Sequence, residues 1–235
     1  MPEGDSAEFD RYSDSYREAV EDAIGGFTSA GLDFFTAAKA DGLLELAERR
    51  VGPPGELAFL DVGCGPGETD GFLEGRVGRL AGVDIAPRML ESARRRNPWV
   101  DYRGFAPGEQ IPFEDETFDV CFAVCVLHHV LRGERVPLIS EVKRVCKPGG
   151  LVVLFEHNPF NPLTRRAVHG CEFDRDAELF TRRSASRILR EAGLPDPDGR
   201  YILFFTRESA LLRGIERRLG WLPLGAQYAV FAQRP

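Results

Sequence analysis

The residues with the means to do chemistry sit at the ends of short apolar runs in the middle of the chain. Asp61, Gly63 and Gly65 end a run that begins at Ala58, and Asp84 closes the next one, Leu80-Ala81-Gly82-Val83. Ala58 to Val62 is short and apolar, as a buried parallel strand should be. The two glycines let the backbone turn sharply and let a ligand approach closer than a Cβ would allow. A carboxylate at Asp84, where a neighbouring strand would finish, can accept both hydroxyls of a ribose. Together they imply a nucleoside-containing ligand. Further on, Val124-Cys125-Val126-Leu127-His128-His129 and Phe155-Glu156-His157 end two more apolar runs. Histidine is the side chain most easily set to take a proton near neutral pH. Neighbouring residues point in different directions, so at most one of His128 and His129 faces a ligand, and His129 is the candidate. Glu156 and His157 abut a strand otherwise made of Val and Leu, which makes them candidates to bind an acceptor or remove its proton.

The glycine pattern narrows the nucleoside. A dinucleotide fingerprint needs a third glycine where this chain has Glu68, and a negative side chain is a poor neighbour for a pyrophosphate. No Gly-Lys-Ser/Thr follows, which excludes a P-loop. The ligand is expected to carry no phosphate. At this point the sequence resembles motif I of the class I S-adenosylmethionine-dependent methyltransferases. The stretch Leu127-His128-His129-Val130 resembles that family too, and the region from Glu156 through Asp174 looks like its bacterial type 11 group.

The resemblance implies that the backbone around Asp61, Gly63, Cys64 and Gly65 holds the methionine part of S-adenosylmethionine, with acidic Asp61 suited to a cation. It implies that Asp84 binds the ribose, and that Ile85 and Met89 lie against the adenine. An acidic acceptor for the adenine amine is expected a few residues before Ile111-Pro112-Phe113, but the aligned position is Pro107, which has no acceptor and no N–H. Ala106, Glu109 or a water would have to serve. Cys125 and Tyr16 complete the expected cofactor set. The reaction implied is methyl transfer to a small-molecule acceptor such as a natural product, sugar or lipid precursor, at oxygen or nitrogen, leaving S-adenosylhomocysteine. It works chiefly by in-line orientation, with His129, His157 or Glu156 as base. Two alternatives use the same fold, a cofactor-dependent cyclisation or rearrangement and a non-catalytic binding module.

Composition is ordinary for a soluble globule. The chain has 235 residues, 43% hydrophobic and 29% charged, with 30 basic against 37 acidic side chains for a net charge of −7. That balance argues against nucleic-acid binding, which rests on a basic face. Arg94-Arg95-Arg96 reads as helix-end charge favoured by the dipole. The five cysteines lie mostly in apolar runs and fit buried thiols in a reducing compartment. Cys121 and Cys125 are spaced as in a strand, so no metal is expected. No signal segment or membrane span is apparent, and a cytoplasmic location is the expectation; the oligomeric state is not legible.

The elements that must position these groups alternate. Phe9, Tyr12, Tyr16, Val20 and Ile24 recur at helical spacing, Gly25-Gly26 breaks that helix, and a second is expected over 32–50. Strands are expected near 58–62, 80–83, 100–103, 119–125 and 151–157, with helices near 68–75, 87–96 and 134–146. Lys147-Pro148-Gly149-Gly150 reads as the stop of the last. Residues 158–180 read as a long active-site loop, followed by a helix over 181–192. The last two strands are expected over 201–205 and 228–233, with a helix between. The expected fold is a Rossmann-like seven-stranded, mostly parallel sheet with helices on both faces and an N-terminal helical cap. The expected organisation is residues 1–50 as cap or lid, 51–235 as the methyltransferase domain, and 201–235 as its final two strands.

Overall fold

The computed structural model describes residues 9–13, 15–26, 28, 30–175, 177–206 and 210–235. In chain order the elements are α1 (Tyr16–Gly25), α2 (Leu32–Arg50), β1 (Ala58–Val62), β2 (Arg79–Asp84), α3 (Pro87–Arg96), β3 (Asp101–Gly104), β4 (Phe118–Val124), α4 (Arg132–Val145), β5 (Cys146–His157), α5 (Pro162–Gly170), α6 (Arg182–Glu191), β6 (Asp198–Ile202), α7 (Ala210–Leu219) and β7 (Gln227–Gln233). They form a seven-stranded sheet of order β3-β2-β1-β4-β5-β7-β6. β7 runs antiparallel to both its neighbours, and the pairs from β3 through β5 are parallel. No described helix is long and apolar enough to cross a membrane.

Alternation along each strand divides the core into two layers. Leu60, Val62, Cys121, Val152 and Leu154 face Ile139 and Val142 of α4 and Ala185 and Leu189 of α6. Phe59, Phe122, Val153 and Phe155 face the other way, onto Ala40, Leu43 and Leu44 of α2 and onto Leu90 and Ala93 of α3. So α2, expected as part of a cap, packs on this face of the sheet.

Four expectations differ from the structure for local reasons. The helix expected at 68–75 is only a 3₁₀ turn, Asp70–Leu73, with the side chain of Asp70 buried. The loop expected over 158–180 contains α5. Pro162 occupies its first turn, where a proline loses no intrahelical bond, and Asn161 caps it by accepting the N–H groups of Leu163 and Thr164. The Lys147–Gly150 turn is an irregularity inside β5, where the register with β4 shifts. β6 begins earlier than expected, at Asp198.

Candidate active site

The glycine loop leaves β1 with its backbone pinned from beneath. The N–H groups of Gly63 and Cys64 donate to the Val83 carbonyl at 2.8 and 3.1 Å. Gly63 has φ +73°, and a Cβ there would stand 2.7 Å from both Val126 methyls, so only glycine fits. Gly65 has φ +51° and open space where a Cβ would point. Asp84, at the end of β2, locks this loop: Oδ2 accepts the Gly65 N–H at 2.7 Å and Oδ1 the Ala86 N–H at 2.9 Å. Burial pushes the Asp84 carboxyl up, and these N–H groups draw it back.

Behind the loop lies a polar chain. Asn97 donates to the Gly67 carbonyl at 2.8 Å and to the Tyr102 hydroxyl at 3.0 Å, and that hydroxyl donates to Asp70 Oδ2 at 2.5 Å. Asp61 and Asp70 stand within hydrogen-bonding reach of each other. Oδ1 of each is buried without a donor. One proton shared between them satisfies both. Burial, with the neighbouring Asp70 charge, raises Asp61 well above the usual carboxylate range, and burial raises Asp70 to about 6. Asp61 was expected to suit a cation; burial and the neighbouring Asp70 charge work against its ionised form. Lys39, on α2, faces the same space. It is buried, and among the described residues its ammonium has no hydrogen-bond or ion-pair partner. Its charge reaches Asp61, Cys125 and His157.

The opposite wall is built around histidines. Glu156 accepts the Leu127 N–H at 2.7 Å and bonds His128 Nδ1 at 2.6 Å. Asp174 Oδ1 lies 3.0 Å from His129 Nε2 and 3.5 Å from His128 Nε2. Burial opposes a charge on His128, yet Glu156 and Asp174 lift it to about 10. Burial lowers His129, and burial together with the His128 charge lowers His157 to about 4. His129 and His157 are therefore neutral at pH 7 and free to accept a proton. Cys125 stands at φ +58°, an uncommon conformation for a residue with a side chain and one that clusters at functional sites.

The N-terminal segment closes over this wall with aromatic rings. Phe9 meets His129 edge-on with centroids 5.0 Å apart, and Tyr16 stacks on Phe173 at 5.0 Å and 12°. Arg17 reaches Glu68 at 2.6 Å and Asp33 at 2.8 Å, and Arg96 reaches Glu68 at 2.8 Å. Glu68 was expected to repel a phosphate. Its charge is instead paired with two guanidinium groups that tie α1 and α3 to the glycine loop.

These walls enclose a cavity of about 710 Å³, within the range of small-molecule sites. It brings together Asp61, Gly63, Cys64, Gly65, Asp84, Ile85 and Met89 with Ala106, Pro107, Cys125 and Tyr16, and with His129 and His157. Glu156 is not in its lining; both its oxygens are taken behind the wall. Glu109 does line it, with Oε2 3.4 Å from the Ala106 N–H. Sequence reasoning missed Lys39, Asp70 and Gln227 and gave Asp174 little weight. For Lys39, a lone cation between the apolar residues of an amphipathic helix was the available signal.

Residues 60–154 match the family model described as a methyltransferase domain. An uncharacterized methyltransferase of Mycolicibacterium vanbaalenii is 33% identical over 145 residues, 58% of this chain and 54% of that protein. The malonyl-[acyl-carrier protein] O-methyltransferase of Serratia marcescens is 33% identical over 113 residues, 46% of this chain and 43% of that protein. The chain thus spans about half the length of the curated relatives it matches. Among solved structures, a Thermotoga maritima S-adenosylmethionine-dependent methyltransferase, a possible histamine N-methyltransferase, superposes with a TM-score of 0.65 at 20% identity, covering 98% of this chain and 99% of that one. That likeness concerns the fold. Residues 60–154 thus match a methyltransferase domain, and the seven-stranded sheet around them has the fold of solved S-adenosylmethionine-dependent methyltransferases.

Proposed function

We propose that this protein transfers a methyl group from S-adenosylmethionine to a small-molecule acceptor at oxygen or nitrogen. One observation carries the reading: a single cavity joins the glycine loop and Asp84 on one side to neutral His129 and His157 on the other. The residues present fit the cofactor. Each Asp84 oxygen accepts one backbone N–H and retains capacity for a ribose hydroxyl. Gly65 leaves open the space a side chain would fill. Lys39, a mostly buried side chain that lines the cavity, offers its ammonium to an anion, and the cofactor's carboxylate would supply one. Glu109, which lines the cavity beside Ala106, would accept from the adenine amine in place of Pro107.

When bound, S-adenosylmethionine supplies a methyl on a positive sulfur that departs as a neutral thioether. The protein's part is orientation and one proton. His129 donates Nε2–H to Asp174, which leaves Nδ1 as the base; as the acceptor atom takes the methyl, its proton passes to Nδ1 and the acceptor gains no charge. Asp174 then stabilises the imidazolium. Glu156 is a positioning residue that holds His128 rather than a base. The segment from Phe9 to Gly25 is the lid, and α2 belongs to the methyltransferase domain.

The test is isothermal titration with S-adenosylhomocysteine, followed by incubation with methyl-labelled S-adenosylmethionine and small hydroxyl and amine acceptors. Micromolar binding with label transfer is expected. No binding up to millimolar concentration by the folded protein overturns the reading, and product without S-adenosylhomocysteine release points instead to the rearrangement chemistry.

A further inference from the structure

We infer that His128, His157 and Asp174 form a binding site for a divalent transition-metal cation of the zinc class in the wall of the cavity. One ligand atom from each lies within 4.8 Å of the other two. These residues come from three separate segments: the turn after β4, the end of β5, and the 3₁₀ turn Glu172–Asp174.

The first argument is an atom without a partner. His128 Nε2 is fully buried and makes no well-formed hydrogen bond, although a buried polar atom without one is expensive; without metal it carries the proton that charges His128 beside Asp174, and a bound metal would displace that proton. It lies 3.5 Å from Asp174 Oδ1, too far for a good hydrogen bond. Two ligands of a tetrahedral zinc, each about 2.1 Å from the ion, stand about 3.4 Å apart. The His128–Asp174 pair already has the edge length of such a site, and a His157 ring nitrogen lies within 4.8 Å of both.

The second argument is the outer shell. Metal-ligating histidines direct their other ring nitrogen to a carboxylate or carbonyl, which fixes the tautomer and aims the free lone pair. Glu156 does this for His128, at 2.6 Å from Nδ1 and held itself by the Leu127 N–H. Gln227 does it for His157. Its amide lies 3.3 Å from His157 Nδ1 and 3.3 Å from Cys125 Sγ, while its Oε1 is buried without a donor. Nitrogen and oxygen of an amide are assigned from the bonds they make. With the amide turned, Oε1 accepts from both His157 Nδ1–H and the Cys125 thiol, and His157 Nε2 is left for the metal. Asp174 is supported in turn by His129 Nε2 at 3.0 Å. Each of the three ligands therefore has its own partner behind it.

Two histidines and one carboxylate suit zinc, cobalt or iron(II) rather than magnesium or calcium. His157 and Asp174 line the cavity, so an oxygen atom of an acceptor or a water can complete the shell. The site would favour acceptors that present an oxygen ligand. That last consequence rests on the function proposed above; the metal site itself does not.

The test uses the full chain without a histidine tag, stripped with chelator and titrated with Co²⁺, then Zn²⁺. One equivalent of Co²⁺ with tetrahedral visible absorption, displaced by Zn²⁺, is expected. His157→Ala should weaken Co²⁺ at least about 100-fold, and Gln227→Leu at least about tenfold. His157→Cys should restore binding and add a sulfur-to-cobalt charge-transfer band. Far-UV circular dichroism shows that each variant is folded. Absence of a bound equivalent in the wild type overturns the site, as does unchanged Co²⁺ affinity in folded His157→Ala. A charge-transfer band already present in the wild type would make Cys125 a ligand and overturn this ligand set. Titration of the same samples with S-adenosylhomocysteine separates the two proposals: cofactor binding without metal ends this one alone, and metal without cofactor ends the other.

Discussion

Asp174 Oδ1 sits 3.0 Å from Nε2 of His129, across a join between two segments that are distant in sequence. The contact fixes which nitrogen of His129 is free. His129→Gln should lower kcat/KM by about 100- to 10,000-fold and leave S-adenosylhomocysteine affinity within about twofold. Because burial holds His129 below its ordinary value, the neutral base persists as pH falls through about 6.5. The acid limb of kcat/KM should therefore lie below that value. A limb at or above it removes His129 as the base.

Asp84 joins the ribose position to the glycine loop through Gly65. Asp84→Ala should weaken S-adenosylhomocysteine by about 100-fold or more, since charged hydrogen bonds are worth about 1.5–3 kcal/mol each. Calorimetric titration reads the loss, and Asp84→Asn should fall between the two.

Lys39 combines burial with the absence of a bonded partner. Lys39→Met should weaken the cofactor by about tenfold or more while thermal stability holds or rises, because a cation without a hydrogen-bonded partner is replaced by an apolar chain of similar length. A fall in melting temperature with unchanged affinity would assign Lys39 to structure instead.

Gly63 is constrained by its φ of +73° and by Val126 at 2.7 Å from a would-be Cβ. Gly63→Ala should destabilise by about 1–3 kcal/mol. Adding Val126→Ala should recover the clash but not the backbone strain, so urea unfolding should show partial rescue.

Asp61 and Asp70 are both raised above their ordinary values, so the folded state holds protons that the unfolded chain releases. Their stabilising contribution is complete below about pH 4 and is lost as pH rises through about 6. Asp70→Asn keeps a bond to each neighbour without needing the proton. Between pH 4 and 7 the wild type should lose about 2 kcal/mol relative to this variant in urea melts. Parallel stability curves would exclude the shared proton.

Much of the architecture was legible because it is local. A strand that ends in glycines and an acid that ends the next one are written in adjacent residues, and their spans in the fold agree with the reading to within a residue or two. The misreadings also have local causes. Asn158-Pro159-Phe160-Asn161-Pro162 looked too broken for regular structure, yet its second proline starts α5 and its second asparagine caps it. Glu156 looked like an acid facing a ligand, because nothing in its neighbourhood in the chain announces that His128 and the Leu127 N–H take both its oxygens.

The sequence by itself determined the succession of the strands, the turn at Gly63 and Gly65, and the acid at Asp84, since these follow from side-chain period, φ preference and strand length. Only the tertiary structure decided which charges survive and which groups meet. It paired Glu68 with Arg17 and Arg96, buried Asp61 beside Asp70, brought Lys39 in from α2, and placed Asp174 between His128 and His129. Charge and protonation depend on burial and on partners across the fold, and no local pattern of residues encodes either.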